Sequence, residues 1–357
     1  MTRTILVTGG AGFMGSALVA ALLADGATRI LSLAPDDDDA GKVRAAVRVA
    51  LQGCALPIWL ADRIAPVTAD LRDTAQLAKL DLHGVDQVWH VAAHMSYAIE
   101  DFAATVDFNA NAALSLLLQT RPAARFVFVS TTGVAGPGDR HSVGSVVPED
   151  LLYSIDPLNP YTVSKHLAEH MLANAARERG IALTILRPGA IIGHSGTGWS
   201  NGTRFGYYSY LQAFRRYLGR TAAIDVDIAP ERIFPVIHID HLVRACAAVA
   251  ARDGGPPFEV FHLANQALLS VRAHFDLFEE VTGNRLKIGY GPGQSGANRA
   301  FNKLNADNNR FMGTTHRFAT GALEAALGAA CVPPPLALSG LRNVFAHYLA
   351  DHAEPGA

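Results

Sequence analysis

The stretch TILVTGGAGFMGSALVAALL (4–23) constrains the fold more than any other part of the chain. A short apolar run meets Gly9, Gly10, Gly12 and Gly15 and passes at once into a helical pattern. Two glycine templates overlap there, one on Gly9, Gly12 and Gly15 and one on Gly10, Gly12 and Gly15, with Phe13 and Met14 inside the turn. Glycine lets the backbone turn tightly and lets a pyrophosphate approach with no Cβ in the way. The helix N-terminus adds unpaired amides and a partial positive charge. A glycine pattern alone says little. Here a strand precedes it, a helix follows, and it lies at the first strand-to-helix crossover, the context a dinucleotide site requires.

Strand-like runs recur at 29–33, 63–67, 87–93, 125–130 and 182–189, with helical patterns between them, including 101–118 and 160–179. Buried, β-branched strands alternating with helices predict an α/β fold with a doubly wound parallel sheet of the Rossmann type. After residue 192 the texture changes. GHSGTGWSNGTRFG (193–206) reads as a loop, an aromatic helix follows, and strand–helix material returns at 232–251 and 258–265. The expected division is a dinucleotide-binding domain over 1–192 plus about 236–265. A smaller, discontinuous C-terminal substrate-binding lobe takes 193–235 plus 266–357.

Composition narrows the function. With 357 residues, half of them hydrophobic, and a net charge of −2, the chain offers no electrostatic case for nucleic acid or an anionic membrane. The one acidic run, Asp36 to Asp39, reads as a solvated loop. Cys54, Cys246 and Cys331 are odd in number and far apart, which argues against disulfides and zinc and for a reducing compartment. No apolar run approaches the roughly 20 residues of a membrane helix, and no leader is recognisable. A cytoplasmic protein without a metal site is expected.

Chemistry enters at two places. VSTTGVAG puts the hydroxyls of Ser130, Thr131 and Thr132 at the end of a central strand, where a doubly wound sheet forms its ligand crevice. About thirty residues later, NPYTVSKHLAEHML places Tyr161 and Lys165 one helical turn apart. A hydroxyl and Tyr161 can converge on one carbonyl oxygen. The charge of Lys165 would lower a phenol pKa that is about 10 in isolation, so that a proton moves near neutral pH. Asp70 and Leu71 follow the third strand, where a carboxylate can accept from an adenine amino group. Ala92 and Ala93 end the fourth strand and either let a cofactor pass close or simply pack tightly. His166 and His170 read as surface or interface histidines.

Together, TGGAGFMGS, Asp70-Leu71, HVAA, VSTTGVAG, PYTVSK and LRPG, in that order, resemble the extended branch of the short-chain dehydrogenase/reductase superfamily over residues 1 to 265. The resemblance implies Thr131, counted back from Gly136, as the catalytic hydroxyl and Tyr161 as acid/base. It implies Lys165 as partner of Tyr161 and holder of the nicotinamide ribose. Asn109 matches the asparagine of the fourth-helix pattern, and Pro188 sits where the family approaches the carboxamide. A homodimer pairing helices 101–118 and 160–179 is implied as well.

Within that branch, RIAPVTADLRD, DQVWHVAAHMSY, NANAALSLL and LTILRPGAIIGHSGTGWSN are most similar to thioester-reductase or male-sterility-type members. These transfer hydride from NADPH to a thioester-held acyl group. NADP(H) is therefore implied, and NAD(H) stays open because the family's NADP-binding arginines are not evident and Pro35 and Ser16 stand in their places. The substrate would be a small-molecule or carrier-bound acyl or carbonyl compound. Candidate substrate contacts are Thr132, His194, Ser195, Thr197, Asn201 and Tyr207. The row Tyr207, Tyr208, Tyr210, Phe214 and Tyr217 either walls an apolar channel or packs in the core. A ketone or aldehyde reductase, a nucleotide-sugar epimerase or dehydratase, and a non-catalytic NAD(P) sensor share the architecture. No acidic pair adjoins Thr131 to support a dehydratase. A sugar diphosphate would have to recruit Arg204, Arg215, Arg216 and Arg232.

Overall fold

A computed structural model describes residues 3–24, 28–138, 145–154, 156–203, 205–311 and 313–351. Seven strands form one parallel sheet: β1 (Arg3–Thr8), β2 (Thr28–Ala34), β3 (Ala65–Thr68), β4 (Gln87–His90), β5 (Arg125–Val129), then Ala182–Pro188 and Phe258–Leu263. From one edge to the other the order is Phe258–Leu263, Ala182–Pro188, β5, β4, β1, β2, β3. The order reverses between β1 and β4, which opens a crevice at the carboxyl ends of these strands.

Both faces of the sheet are covered, so its strands are apolar on both sides. Ile5, Val7, Val127 and Val129 pack with helix α1 (Phe13–Ala24) and helix Ile239–Ala251. Leu6, Val88, Phe126 and Phe128 pack with helices Ala112–Gln119 and Pro160–Arg179. β4 stops at His90, short of the expected 93, because the amides of Val91 and Ala92 turn to the Thr8 hydroxyl at 3.2 and 3.1 Å.

Two expectations change, and one open alternative closes. The aspartate run opens helix α2 (Asp37–Gly53), whose N-cap is Asp36, its carboxylate accepting from the Asp39 amide at 2.8 Å. The predicted helix 101–118 is interrupted by a π-helical turn, Asp107–Asn111, between Phe102–Val106 and Ala112–Gln119. The aromatic row belongs mainly to a second apolar cluster. Tyr208, Tyr210 and Phe214 are buried there with Phe234, Phe275 and Phe301, and Phe214 meets Phe275 edge to face at 5.1 Å. A row of rings at helical spacing fills a core more readily than it lines a channel. The three cysteines are free. Among the described residues, no helix is long and apolar enough to cross a membrane.

Candidate active site

The glycine turn is built by close approach. Gly9 has φ of +71°, and a Cβ on it would lie 2.7 Å from the Ala92 nitrogen. A Cβ on Gly15 would lie 2.0 Å from the Gly9 carbonyl oxygen, whereas one on Gly12 would meet only that oxygen at 3.4 Å. The turn is thus pressed against the end of β4 and left open on the Gly12 side, a cradle that suits a dinucleotide pyrophosphate at the N-terminus of α1. Gly15→Ala is expected to cost roughly 1–3 kcal/mol through overpacking and to weaken cofactor binding. Thermal melts with and without cofactor check both.

Above this turn lies a cavity of about 460 Å³. Gly9, Gly12, Phe13, Met14 and Gly15 form one wall, continued by Ala92 and Ala93. Thr131, Tyr161, Lys165 and Pro188 form the facing part, together with Ser130. The helix that delivers Tyr161 is fixed at its start. Asn159 and Thr162 form a capping box, the Asn159 side chain accepting from the Thr162 amide at 2.9 Å, and Pro160 takes the first helical position. One turn on, Lys165 donates to the Val129 carbonyl at 2.8 Å, with its ammonium 4.6 Å from the centre of the Phe128 ring.

Burial governs the titration of this pair. It pushes Lys165 down to about 7, against an upward pull from the Glu169 carboxylate. It pushes the Tyr161 phenol above its ordinary value. Against the expectation that Lys165 lowers the phenol, desolvation in the dry site raises it, and the lysine is itself only partly charged near pH 7. Glu169 is held in a fully buried bidentate pair with Arg187, at 2.9 and 2.6 Å.

Thr131 borders the cavity while its hydroxyl accepts from the Gly133 amide at 3.1 Å, capping the short helical turn Thr132–Ala135. Thr132 is buried within that turn and does not border the cavity. Nor do Asp70, Leu71 or Asn109. Asp70 is bound by Arg72 through its guanidinium at 3.1 and 2.8 Å, which holds the carboxyl below its usual range. Leu71 packs in the core. Asn109, in the π-helical turn, accepts from the His94 amide at 2.8 Å and donates to the His94 carbonyl and the Ser164 hydroxyl, both at 2.9 Å. It fastens the segment after β4 to helix Pro160–Arg179.

The loop candidates bond to their surroundings instead of the cavity. The His194 ring accepts from the Gly196 and Thr197 amides, Ser195 donates to Asp240 at 2.6 Å, and Thr197 donates to the Gly53 carbonyl at 3.2 Å. Asn201 takes a left-handed turn with φ of +51°. Of the six substrate candidates only Tyr207 borders the cavity, and its hydroxyl is paired with His274 at 2.8 Å. His166 and His170 lie ring against ring at 4.7 Å. Arg204 lies outside the described residues, and Arg215, Arg216 and Arg232 do not border the cavity.

Met95, Tyr97, Phe108 and Phe205 complete the wall and were missed in the sequence. Tyr97 lies 5.1 Å from Phe205 and 6.5 Å from Tyr161, ring centre to ring centre. The one available signal was position, since Met95 and Tyr97 follow HVAA directly. Among the described lining residues Lys165 carries the only ionisable cation, and no carboxylate is present.

Residues 7–246 match the NAD-binding family described as male sterility protein. The chain belongs to that family. Membership of that family places it in the extended short-chain dehydrogenase/reductase superfamily. It is 30% identical over 290 residues to an isonitrile lipopeptide synthase of Streptomyces coeruleorubidus, covering 77% of this chain and 18% of that protein. The first curated relatives it matches are aligned over about half their length. Among solved structures, the terminal R domain from the myxalamid PKS-NRPS pathway superposes with a TM-score of 0.77 at 18% identity, covering 98% of this chain and 91% of that one. The UDP-glucuronic acid 4-epimerase of Bacillus cereus, in complex with NAD, superposes with a TM-score of 0.70 at 22% identity, over 98% and 97%. At these identities the likeness speaks for the fold.

Proposed function

We propose that this enzyme reduces the carbonyl of an acyl thioester, brought by a carrier or as a small molecule, or of a bulky apolar ketone or aldehyde. The observation that carries the reading is the convergence of Tyr161, Lys165 and a hydroxyl pair on a cavity whose remaining walls are largely apolar. Family membership and the likeness to an R domain and a lipopeptide synthase support the thioester. A sugar diphosphate is disfavoured, because no arginine borders the cavity among the described residues.

A reduced nicotinamide dinucleotide, its pyrophosphate held at the glycine turn, would supply the hydride. Tyr161 then gives its phenolic proton to the carbonyl oxygen, and burial keeps that proton in place until the oxygen becomes basic. The product is an alcohol. From a thioester it is a hemithioacetal, which loses thiol to leave an aldehyde. Lys165, titrating near neutrality, returns a proton to Tyr161 and holds the cofactor ribose. Asp36, just past β2, supports NAD(H): a carboxylate there suits ribose hydroxyls and repels a 2′-phosphate. Exposed Leu118 on Ala112–Gln119 and exposed Leu167 on Pro160–Arg179 support a homodimer through these helices.

The test is oxidation of NADH and NADPH in parallel, against acyl-CoA thioesters and apolar ketones, with free thiol followed in the same sample. Cofactor oxidation with thiol release is the expected result. Oxidation on ketones alone moves the enzyme to ketone reduction, and silence with cofactor demonstrably bound overturns the reading.

A further inference from the structure

We propose that Ser130 is a further hydroxyl donor to the substrate's carbonyl oxygen, acting beside Thr131 and Tyr161. This rests on the carbonyl-reductase reading. Along β5, Val127 and Val129 face the α1 side and Phe126 and Phe128 face helix Pro160–Arg179. Ser130 prolongs the ladder by one residue, its amide bonded to the Leu186 carbonyl at 2.7 Å. Side chains alternate along an extended strand, so Ser130 continues the Phe126–Phe128 row on the side of Tyr161 and Lys165. The Lys165 ammonium is bonded to the Val129 carbonyl, which is joined directly to the Ser130 nitrogen, and lies over Phe128.

Ser130 borders the cavity and is 2% exposed, and its hydroxyl is buried with no hydrogen-bond partner among the described residues. Thr131 differs, because its oxygen already accepts from Gly133. A desolvated hydroxyl with all its bonding capacity unused, on a rigid strand end, is preorganised for a polar ligand atom. The polar atom that reaches this position in a carbonyl reduction is the oxygen gaining negative charge. Ser130 and Thr131 keep their protons and only donate hydrogen bonds, while Tyr161 transfers its own.

The test compares Ser130→Ala, Thr131→Val and Tyr161→Phe in the full chain. It reads kcat, KM, cofactor affinity by dihydronicotinamide fluorescence, and Tm without ligand. For Ser130→Ala, kcat is expected to fall about 10²-fold, as for loss of one oxyanion donor, with cofactor affinity unchanged. Its Tm should hold or rise by about 1–4 °C, because an unpaired buried hydroxyl has been removed. A structural serine would show the reverse, a lowered Tm with kcat preserved. A drop in Tm, weakened cofactor binding, or a kcat within twofold of wild type beside an inactive Tyr161→Phe overturns the role of Ser130. Undiminished activity in Tyr161→Phe would instead overturn the reductase reading.

Discussion

Tyr161→Phe is expected to lower kcat by about 10²–10⁴-fold, the range of a lost general acid, while cofactor affinity and Tm stay near wild type. Phenylalanine keeps the ring that packs 6.5 Å from Tyr97 and removes only the hydroxyl. The helix start is set by Asn159, Thr162 and Pro160, so it does not depend on the phenol. The pH profile of the wild type adds a second reading. Burial holds Tyr161 protonated throughout the working range, so the free phenol does not set the alkaline limb. Lys165, near 7, is the group that resupplies the proton, and it is charged below that pH and neutral above it. Carbonyl reduction is therefore expected to be level at acid pH and to decline as pH rises through about 7. A decline that begins only near 10 would mean that Tyr161 titrates as an ordinary phenol.

What the sequence made legible divides along a physical line. The glycine turn could be read because a close backbone approach admits one residue type, as the positions of Gly9 and Gly15 show. The Tyr161–Lys165 pair could be read because helical spacing places them without any tertiary information. The sheet was visible because strands buried on both faces leave continuous apolar runs. The far wall of the cavity was not. Met95, Tyr97, Phe108 and Phe205 come from irregular segments and a π-helical turn that only the folded sheet brings together. Polar loop residues misled for the complementary reason. His194, Ser195 and Thr197 satisfy one another, Asp240 and Gly53, and composition cannot tell a side chain that bonds its own protein from one that waits for a ligand. The expected lowering of the Tyr161 pKa failed in the same way, since its sign depends on solvent exclusion, which no spacing encodes.

Lys165→Met is expected to abolish reduction and yet to stabilise the free protein at acid pH. Lys165 is 1% exposed, and its folded pKa of about 7 lies below the ordinary 10.5. Between these values the unfolded chain carries the extra proton, so stability rises with pH across that window. The penalty for burying the charge is fully present below about 7 and vanishes above about 10.5. At about 1.4 kcal/mol per pH unit, the full penalty is on the order of 5 kcal/mol. Methionine escapes it but leaves the Val129 carbonyl without its donor, a constant loss of about 1–3 kcal/mol. The two terms cross. Lys165→Met should exceed wild type in stability at pH 6 and fall below it at pH 10, in denaturant melts without cofactor. A stability difference that is flat over this range would show that Lys165 does not titrate there, and the proton supply assigned to it would fall with it.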